Sequence, residues 1–172
     1  SIFAVTVFDF HESEVGEYGE VVYAVIVPPL VRDGRLPKSA FFPWQVATTT
    51  KAARAHAIER WHLPHWMDDV KVEFVRGDGK LTAKVGAGGS PALELTVTDH
   101  SWQAFQTDES GRYLANILFE GEKSEHEEET GKIVLHDNPF NQDVVVSEVY
   151  DTPFRELWMR NGCQLFDPLV KL

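Results

Sequence analysis

The sequence predicts a mainly β protein with a few helices, in the α+β class, and three observations lead to that class. Residues 2–8 and 20–27, IFAVTVF and EVVYAVIV, are rich in the β-branched and aromatic residues that strands favour. Residues 70–100 alternate apolar and polar positions around a Gly-Asp-Gly turn, which is typical of antiparallel hairpins. Strong helix-forming composition is confined to residues 50–62. We therefore expect antiparallel sheet with one clear helix.

The first half of the chain predicts three strands followed by that helix. The acidic segment HESEVGEYG joins the first two strands and indicates an exposed connection, and FFPWQVAT, residues 41–48, predicts a third strand. Thr50 can cap the helix. The small and apolar helix residues recur at a spacing of four: Ala53, Ala57 and Trp61. Pro64 disfavours helical geometry at the residue before it, so we expect the helix to end near His62.

The second half predicts further strands, one loop and a second short helix. Strand composition is found in residues 113–121, 132–137 and 143–151. The acidic run 125–129 predicts a solvated loop. Residues 152–162, TPFRELWMRNG, predict a helix that a Thr-Pro pair opens and a glycine closes.

Length and charge restrict the classes of protein and partner. A chain of 172 residues is expected to fold as a single domain over residues 1–172. The formal net charge of -11, without a cluster of Lys and Arg, argues against nucleic acid and anionic membrane surfaces as partners. The longest apolar run is interrupted by Pro28 and Pro29, so no membrane span is predicted.

Location is predicted from the cysteine content and the N-terminus. Cys163 is the single cysteine, so an internal disulfide is excluded and the sequence is compatible with the cytoplasm. The Cys163 side chain is expected to be buried. SIFAVTVFDF has no positively charged lead-in and contains Asp9, so a secretory signal is not expected. The absence of an initial Met indicates processing or trimming.

Residues 59–70, ERWHLPHWMDDV, resemble the acetoacetate decarboxylase family, in which a helix with a Gly-Arg-Glu-x-Trp-Gly pattern leads into a Pro-Lys turn. That lysine is the family's Schiff-base nucleophile. The resemblance extends to EYGEVVYAVIV upstream and PFRELWMRNGCQLFDPL downstream, and so covers most of the chain. It implies an antiparallel β-barrel or cone with an external helix, an interior ligand pocket and a homo-oligomer.

The sequence departs from this family at the nucleophile. His65 stands at the lysine position and His62 replaces a glycine, and no lysine lies between Lys51 and Lys71. Imidazole cannot form the imine that activates a ketone, so Schiff-base decarboxylation at this position is excluded. His65 is interpreted either as a general acid/base, with an ordinary pKa of about 6.5, or as a polar side chain that fills a former active site.

Glu20 corresponds, by the same resemblance, to a strand glutamate that lines the family's cavity. It is predicted to orient His65 or to carry a proton itself, and the alternative is a surface glutamate beside Glu17. Predicted substrate-binding residues are Tyr18, Trp61, His62 and Trp66. For His62, exposure at the helix end is the alternative.

A metal site is considered because imidazole and carboxylate groups occur close together in the sequence. These residues are His56, His62, His65, Asp68 and Asp69. Their spacing matches no metal-binding signature and Pro64 interrupts any common helix face, so neither a metal nor another cofactor is expected.

The functional prediction is a small-molecule enzyme that acts on a carbonyl or β-keto-type substrate by general acid/base chemistry without a Schiff base. The reaction types that fit are those of a lyase, dehydratase or cyclase. The alternative is a non-catalytic small-molecule-binding protein that retains the family's cavity. A scaffold subunit is a third interpretation.

Overall fold

The computed structural model describes residues 2–31, 36–110 and 115–169. Within these ranges the chain is mostly β, with one α-helix, so the predicted α+β class is confirmed. The elements are β1 (Phe3–Phe10), β2 (Tyr18–Ile26), β3 (Ser39–Thr48), α1 (Lys51–Glu59), β4 (Val70–Gly77), β5 (Lys80–Ala87), β6 (Ser90–Thr98), β7 (Trp102–Ser110), β8 (Asn116–His126), β9 (Lys132–Leu135) and β10 (Glu156–Phe166). Short 3-10 helices span Pro139–Asn141 and Val146–Glu148.

The strands form two open sheets. One has the order β1-β2-β3-β7-β8-β10 and the other the order β4-β5-β6-β9. Neither closes on itself in the part of the chain that the structure describes, so of the closed or partly closed barrel or cone expected from the resemblance, the fully closed form is not adopted. The reason is that α1 and the turn after it come between β3 and β4 in the sequence. Strands β4, β5 and β6 then pair only with one another and with β9.

Contacts divide the chain into two compact units. Unit 1 consists of the described residues of 1–66, 104–122 and 161–172, and unit 2 of those of 67–103 and 123–160. The single domain expected over residues 1–172 stays a prediction.

In unit 1, strands β1, β2 and β3 form an antiparallel meander with two different faces. Side chains alternate across a strand. Val21 and Tyr23 are 0% and 1% exposed on one face, whereas Tyr18 and Glu20 are half-buried on the other. On the second face, accessible surface therefore remains at Tyr18 and Glu20, although Thr48, opposite Glu20, is 1% exposed.

The pairing of β2 with β3 contains a β-bulge. Tyr23 pairs with Gln45 and Ala24 with Pro43, which leaves Trp44 as an extra residue on β3. Proline cannot donate to a ladder, and a bulge is one of the few places where a paired strand tolerates it.

Helix α1 begins as predicted and ends three residues early. Thr50 Oγ1 accepts the Ala53 N–H at 3.2 Å, the expected N-cap bond, and the buried helix residues include Ala57. Beyond the last turn, the His62 N–H donates to Ile58 O at 3.1 Å. His62 itself has φ +50°, a left-handed conformation that cannot continue a helix.

In unit 2, β4, β5, β6 and β9 are antiparallel neighbours. Gly77 pairs with Lys80 across a two-residue turn, in which Asp78 and Gly79 have φ +50° and +71°. Two consecutive positive φ angles define the type I′ turn expected from the Gly-Asp-Gly sequence. No helix among the described residues is long and apolar enough to cross a membrane.

Four local predictions in the second half are wrong. The segment 143–151 contains a 3-10 turn at Val146–Glu148 instead of a strand, and the predicted helix over 152–162 is absent, because residues 156–162 lie in β10. The acidic run is partly strand, because β8 continues to His126, which is 9% exposed. Cys163 is exposed, not buried. Tertiary contacts override local propensity at these positions.

Candidate functional site

Glu20 and Thr48 lie opposite each other at the end of the β2–β3 ladder. They are direct partners in the antiparallel register, so their side chains project from the same face with Cβ atoms about 5 Å apart. The backbone is fixed beside them, because the Gly19 N–H donates to Thr49 Oγ1 at 2.9 Å and the Thr49 N–H donates to Gly19 O at 3.0 Å. The relative position of the two side chains is thus set by strand pairing.

The turn after α1 brings His65 to the same place. The Val46 N–H donates to Pro64 O at 2.9 Å, and the Trp66 N–H donates to Val46 O at 2.7 Å. These two bonds hold His65 against β3 as an isolated parallel bridge with Val46. His65 Nε2 consequently lies 3.0 Å from Thr48 Oγ1.

The hydrogen bonds of His65 define its neutral tautomer. Nδ1 lies 2.5 Å from the Trp66 carbonyl oxygen, which can only accept, so Nδ1 carries the hydrogen. Nε2 is then the acceptor and Thr48 donates its hydroxyl hydrogen to it. Burial lowers the pKa of His65, the Trp66 bond opposes that change, and the charge of Arg54 adds to it.

The Glu20 carboxyl has a pKa that burial shifts towards neutrality. Desolvation raises its pKa to about 7, although its side chain is only half-buried. Tyr18 lies two residues away on the same strand face, and burial together with the charge of Glu20 raises its pKa too. Tyr18 therefore stays a neutral phenol beside a carboxyl that exchanges its proton readily.

We call Glu20, Thr48 and His65 the Glu20 cluster. Thr48, which sequence reasoning missed, lies between the two residues predicted to be catalytic, since it contacts His65 and is the cross-strand partner of Glu20. Thr48 is 1% exposed, and no motif marks it. Thr48 is identified by the β2–β3 register and by the position of the turn after α1. The sequence signal would have been the pairing of the two predicted strands, which sets Thr48 opposite Glu20.

The four predicted substrate-binding residues lie in different surroundings. Tyr18 shares the face of Glu20, and Trp66 adjoins His65 through its carbonyl. The centroid of the Trp61 ring is 4.7 Å from that of Phe166. His62 is exposed at the end of α1, which agrees with the alternative interpretation of this residue. Ligand contact by each of these residues stays a prediction.

Among the residues that the structure describes, no three His, Cys, Asp or Glu side chains come together in a group that could hold a metal ion. His56 lies with its ring 6.2 Å from that of Trp61. Asp68 and Asp69 are both exposed.

Unit 2 contains a second polar cluster, which the sequence did not indicate. The Glu156 carboxylate is 2% exposed and accepts the backbone N–H groups of Thr98, at 3.0 Å, and Gly131. Burial alone raises the pKa of Glu156, but these bonds, the Thr98 hydroxyl and the charge of His126 hold it below its ordinary value. The carboxyl stays ionised inside unit 2.

This second cluster does not have the geometry of a catalytic triad. His126 Nε2 is 3.2 Å from Thr98 Oγ1 and 3.7 Å from Glu156 Oε2, so one nitrogen faces both groups. A triad needs the hydroxyl and the carboxylate on opposite ring nitrogens. All three side chains are also at most 9% exposed, which indicates a structural role.

Comparison with solved structures identifies the fold. An acetoacetate decarboxylase from Legionella pneumophila subsp. pneumophila str. Philadelphia 1 aligns with 97% of this chain and 71% of its own, with a TM-score of 0.62 and 14% identity. The chain has the fold of acetoacetate decarboxylase. A second acetoacetate decarboxylase structure aligns with 91% of this chain and 74% of its own, with a TM-score of 0.51 and 14% identity.

The same fold occurs in the enduracididine biosynthesis enzyme MppR, which aligns with 88% of this chain at a TM-score of 0.50 and 9% identity. This chain covers 60% of that enzyme's length. No protein-family model and no curated protein matches the sequence. The resemblance first seen in the sequence is thus confirmed at the level of the acetoacetate decarboxylase fold.

Proposed function

We propose that this chain is a small-molecule enzyme on an acetoacetate-decarboxylase-like scaffold, and that it moves a proton on a carbonyl or β-keto-type substrate without a Schiff base. The observation that carries the proposal is that Thr48 pairs with Glu20 across the β2–β3 ladder and contacts His65, while Glu20 itself is only half-buried. Acid/base residues in a desolvated site with shifted pKa values are typical of catalytic centres.

Glu20 is assigned the proton transfer. With a pKa of about 7, it is available at neutral pH both as a carboxylate and as a carboxylic acid. The carboxylate takes the proton on the carbon next to the carbonyl: the C–H bond breaks, the Glu20 O–H bond forms, and the electron pair moves onto the carbonyl oxygen. The carboxylic acid then returns the proton to carbon, which completes an exchange or isomerisation, or gives it to a β-hydroxyl that leaves as water while the enolate electron pair forms the C=C bond, which is the reaction of a dehydratase, a type of lyase.

His65 is assigned a positioning role rather than direct contact with the substrate. Both ring nitrogens already have partners in the protein, the Trp66 carbonyl and the Thr48 hydroxyl. The neutral imidazole orients Thr48, and Thr48 lies directly opposite Glu20. His65 therefore acts on the reaction through the surroundings of the Glu20 carboxyl.

An imine intermediate is not part of this mechanism. The lysines in the described part of unit 1 are Lys38 and Lys51, and both are exposed. The Lys38 ammonium donates to the Gln106 carbonyl at 3.0 Å at the start of β3, the opposite end of that strand from Thr48.

The ligands of a structural neighbour support a carbonyl substrate. MppR structures are complexed with pyruvate and with the condensation product of pyruvate and imidazole 4-carboxaldehyde. The fold therefore accommodates carbonyl compounds in at least one enzyme.

The test is deuterium exchange next to the carbonyl of a simple ketone, followed by NMR in D2O. We expect wild type and Glu17→Gln to exchange butan-2-one or 4-phenylbutan-2-one, and Glu20→Gln to be slower by about 10²-fold or more. Glu17 is the matched control because it is an exposed glutamate three residues away. Equal rates in Glu20→Gln and wild type contradict the assignment, and so does a covalent adduct trapped by borohydride.

A non-catalytic binding protein is the second candidate function, and one observation favours it. The saturated hydrogen bonding of His65 is also what a side chain filling a former active site shows. Stoichiometric binding of a ketone without deuterium exchange would favour a binding protein over an enzyme. The homo-oligomer and the cytoplasmic location stay predictions, and size measurement by light scattering tests the first.

A further inference from the structure

A row of aromatic rings lies on the same sheet face as Glu20. Phe8 is the direct β1 partner of Glu20, and Phe10 is the direct partner of Tyr18. The ring centroids of Phe8 and Phe10 are 5.2 Å apart, and those of Phe10 and Tyr18 are 4.9 Å apart. Phe119 of β8 stacks on Phe8 at 6.4 Å. We call these four residues the aromatic row.

The aromatic row differs from the packed side of the same sheet. Phe8, Phe10 and Tyr18 each keep part of their ring surface accessible, whereas Tyr23 on the opposite face is 1% exposed. Phe3, on β1 but on that opposite face, packs edge-on against Tyr23 at 5.3 Å. Phe3 itself is half-buried and Phe119 of the row is 8% exposed, so the apolar surface available next to the acid/base group comes from Phe8, Phe10 and Tyr18.

The position of the row relative to Glu20 restricts what can bind there. Glu20 has Phe8 across one ladder and Thr48 across the other, with Tyr18 beside it on the same strand, so a substrate with its carbonyl at the Glu20 carboxyl meets aromatic surface on the side of β1 and Tyr18. A small methyl ketone leaves most of the row in water. A planar apolar group covers it, and such contact remote from the reacting atoms is a usual source of binding energy in enzymes.

We propose that the substrate is a carbonyl compound that carries an aromatic or similarly planar apolar group, packed against the aromatic row with its carbonyl at Glu20. This inference rests on the proposed function and specifies its substrate class. A short aliphatic keto acid, with no such group, is not the preferred ligand.

Calorimetric titration of the whole chain with two matched ketones tests the proposal. The probes are 4-phenylbutan-2-one and butan-2-one, which share the methyl ketone and differ in the phenyl group. Wild type is expected to bind the phenyl compound at least tenfold more tightly. Phe8→Leu is expected to reduce this preference to about threefold or less, and Phe10→Leu provides a second variant in case the first fails to fold.

Phe3→Leu is the matched control, because it removes an aromatic ring from the same strand on the opposite face and should keep the preference. Equal or undetectable binding of both ketones overturns the substrate class, even if exchange at Glu20 is observed. A preference that survives in both Phe8→Leu and Phe10→Leu overturns it as well. Conversely, preferential binding without exchange supports the ligand class and contradicts only the proposed proton transfer.

Discussion

Glu20 and Glu17 show how position in the fold separates two identical side chains. Glu17 is exposed before β2 begins, whereas Glu20 lies within the strand, opposite Thr48 and beside Tyr18. The sequence placed Glu20 among the candidates through a family resemblance, whereas composition alone favoured a surface glutamate. Desolvation, which depends on neighbours from three strands, is the property that the sequence alone could not supply.

The raised pKa of Glu20 predicts a loss of stability with increasing pH. Between pH 4.5 and about 7 the folded protein binds more protons at this site than the unfolded chain, so the free energy of unfolding falls as pH rises. Urea titrations at pH 5 and pH 8 should show a decrease on the order of 3 kcal/mol that is missing from Glu20→Gln. Burial raises the pKa of Glu109 similarly. Because Glu109 is present in both wild type and Glu20→Gln, its effect on the free energy of unfolding is the same in both proteins. Parallel pH dependences in the two proteins would refute the assignment.

The tautomer of His65 is a second prediction at this scale. Nitrogen-15 NMR should show hydrogen on Nδ1 at neutral pH and a titration midpoint below the ordinary histidine value. Thr48→Val should shift the Nε2 resonance because the donor to that nitrogen is removed, and Thr48→Ser should preserve it. Hydrogen on Nε2 in the neutral wild type contradicts the arrangement.

Among the elements, α1 followed its sequence signals and β10 did not. The helix has a capping threonine and residues of high helix propensity, and local chemistry is sufficient for such an element. In β10, the Thr-Pro start and the later glycine favoured a helix. The buried carboxylate of Glu156 accepts hydrogen bonds from Thr98 and Gly131, contacts distant in sequence that hold this segment as a strand.

The cap of α1 gives a prediction at the scale of the element. Thr50→Ala should lower the free energy of unfolding by about 1 kcal/mol, because the Ala53 N–H loses its acceptor. Thr50→Ser retains a hydroxyl and is the control. The turn that carries His65 follows this helix, so amide exchange across residues 61–66 should rise only in the alanine variant. Equal stability of the two variants speaks against the cap.

For the molecule as a whole, the predictable part was the β class, most strand segments and the hairpin turn at Gly-Asp-Gly. What could not be predicted was strand order: alternation identifies a strand but not its neighbour, and so neither the two open sheets nor the short parallel contact of β3 with β7 follows from it. The buried cluster around Glu156 was missed for the same reason, since its members are separated by up to 58 positions.

Unit 2 depends on close approach at Gly131. A Cβ added there meets Thr96 O and Glu156 Cδ at 2.6 Å, so Gly131→Ala should destabilise the fold by about 2 kcal/mol or more. Gly77→Ala is the matched control, because no atom lies within 4 Å of its added Cβ and its φ is not positive. Denaturant titration of both variants measures the difference. Equal midpoints would show that Glu156 and the Thr96 backbone can move apart at little cost.

The bulge at Trp44 has a consequence for changes in chain length. It divides the β2–β3 ladder into two parts. The part next to the connecting segment pairs Ile26 with Phe41, and the part far from that segment pairs Glu20 with Thr48. A one-residue slip of a regular hairpin would turn every side chain to the other face, Glu20 included. An insertion or deletion in residues 27–38 can instead be taken up at the irregular position. The connection between these strands is thus a place where the chain can be lengthened or shortened while the acid keeps its neighbour.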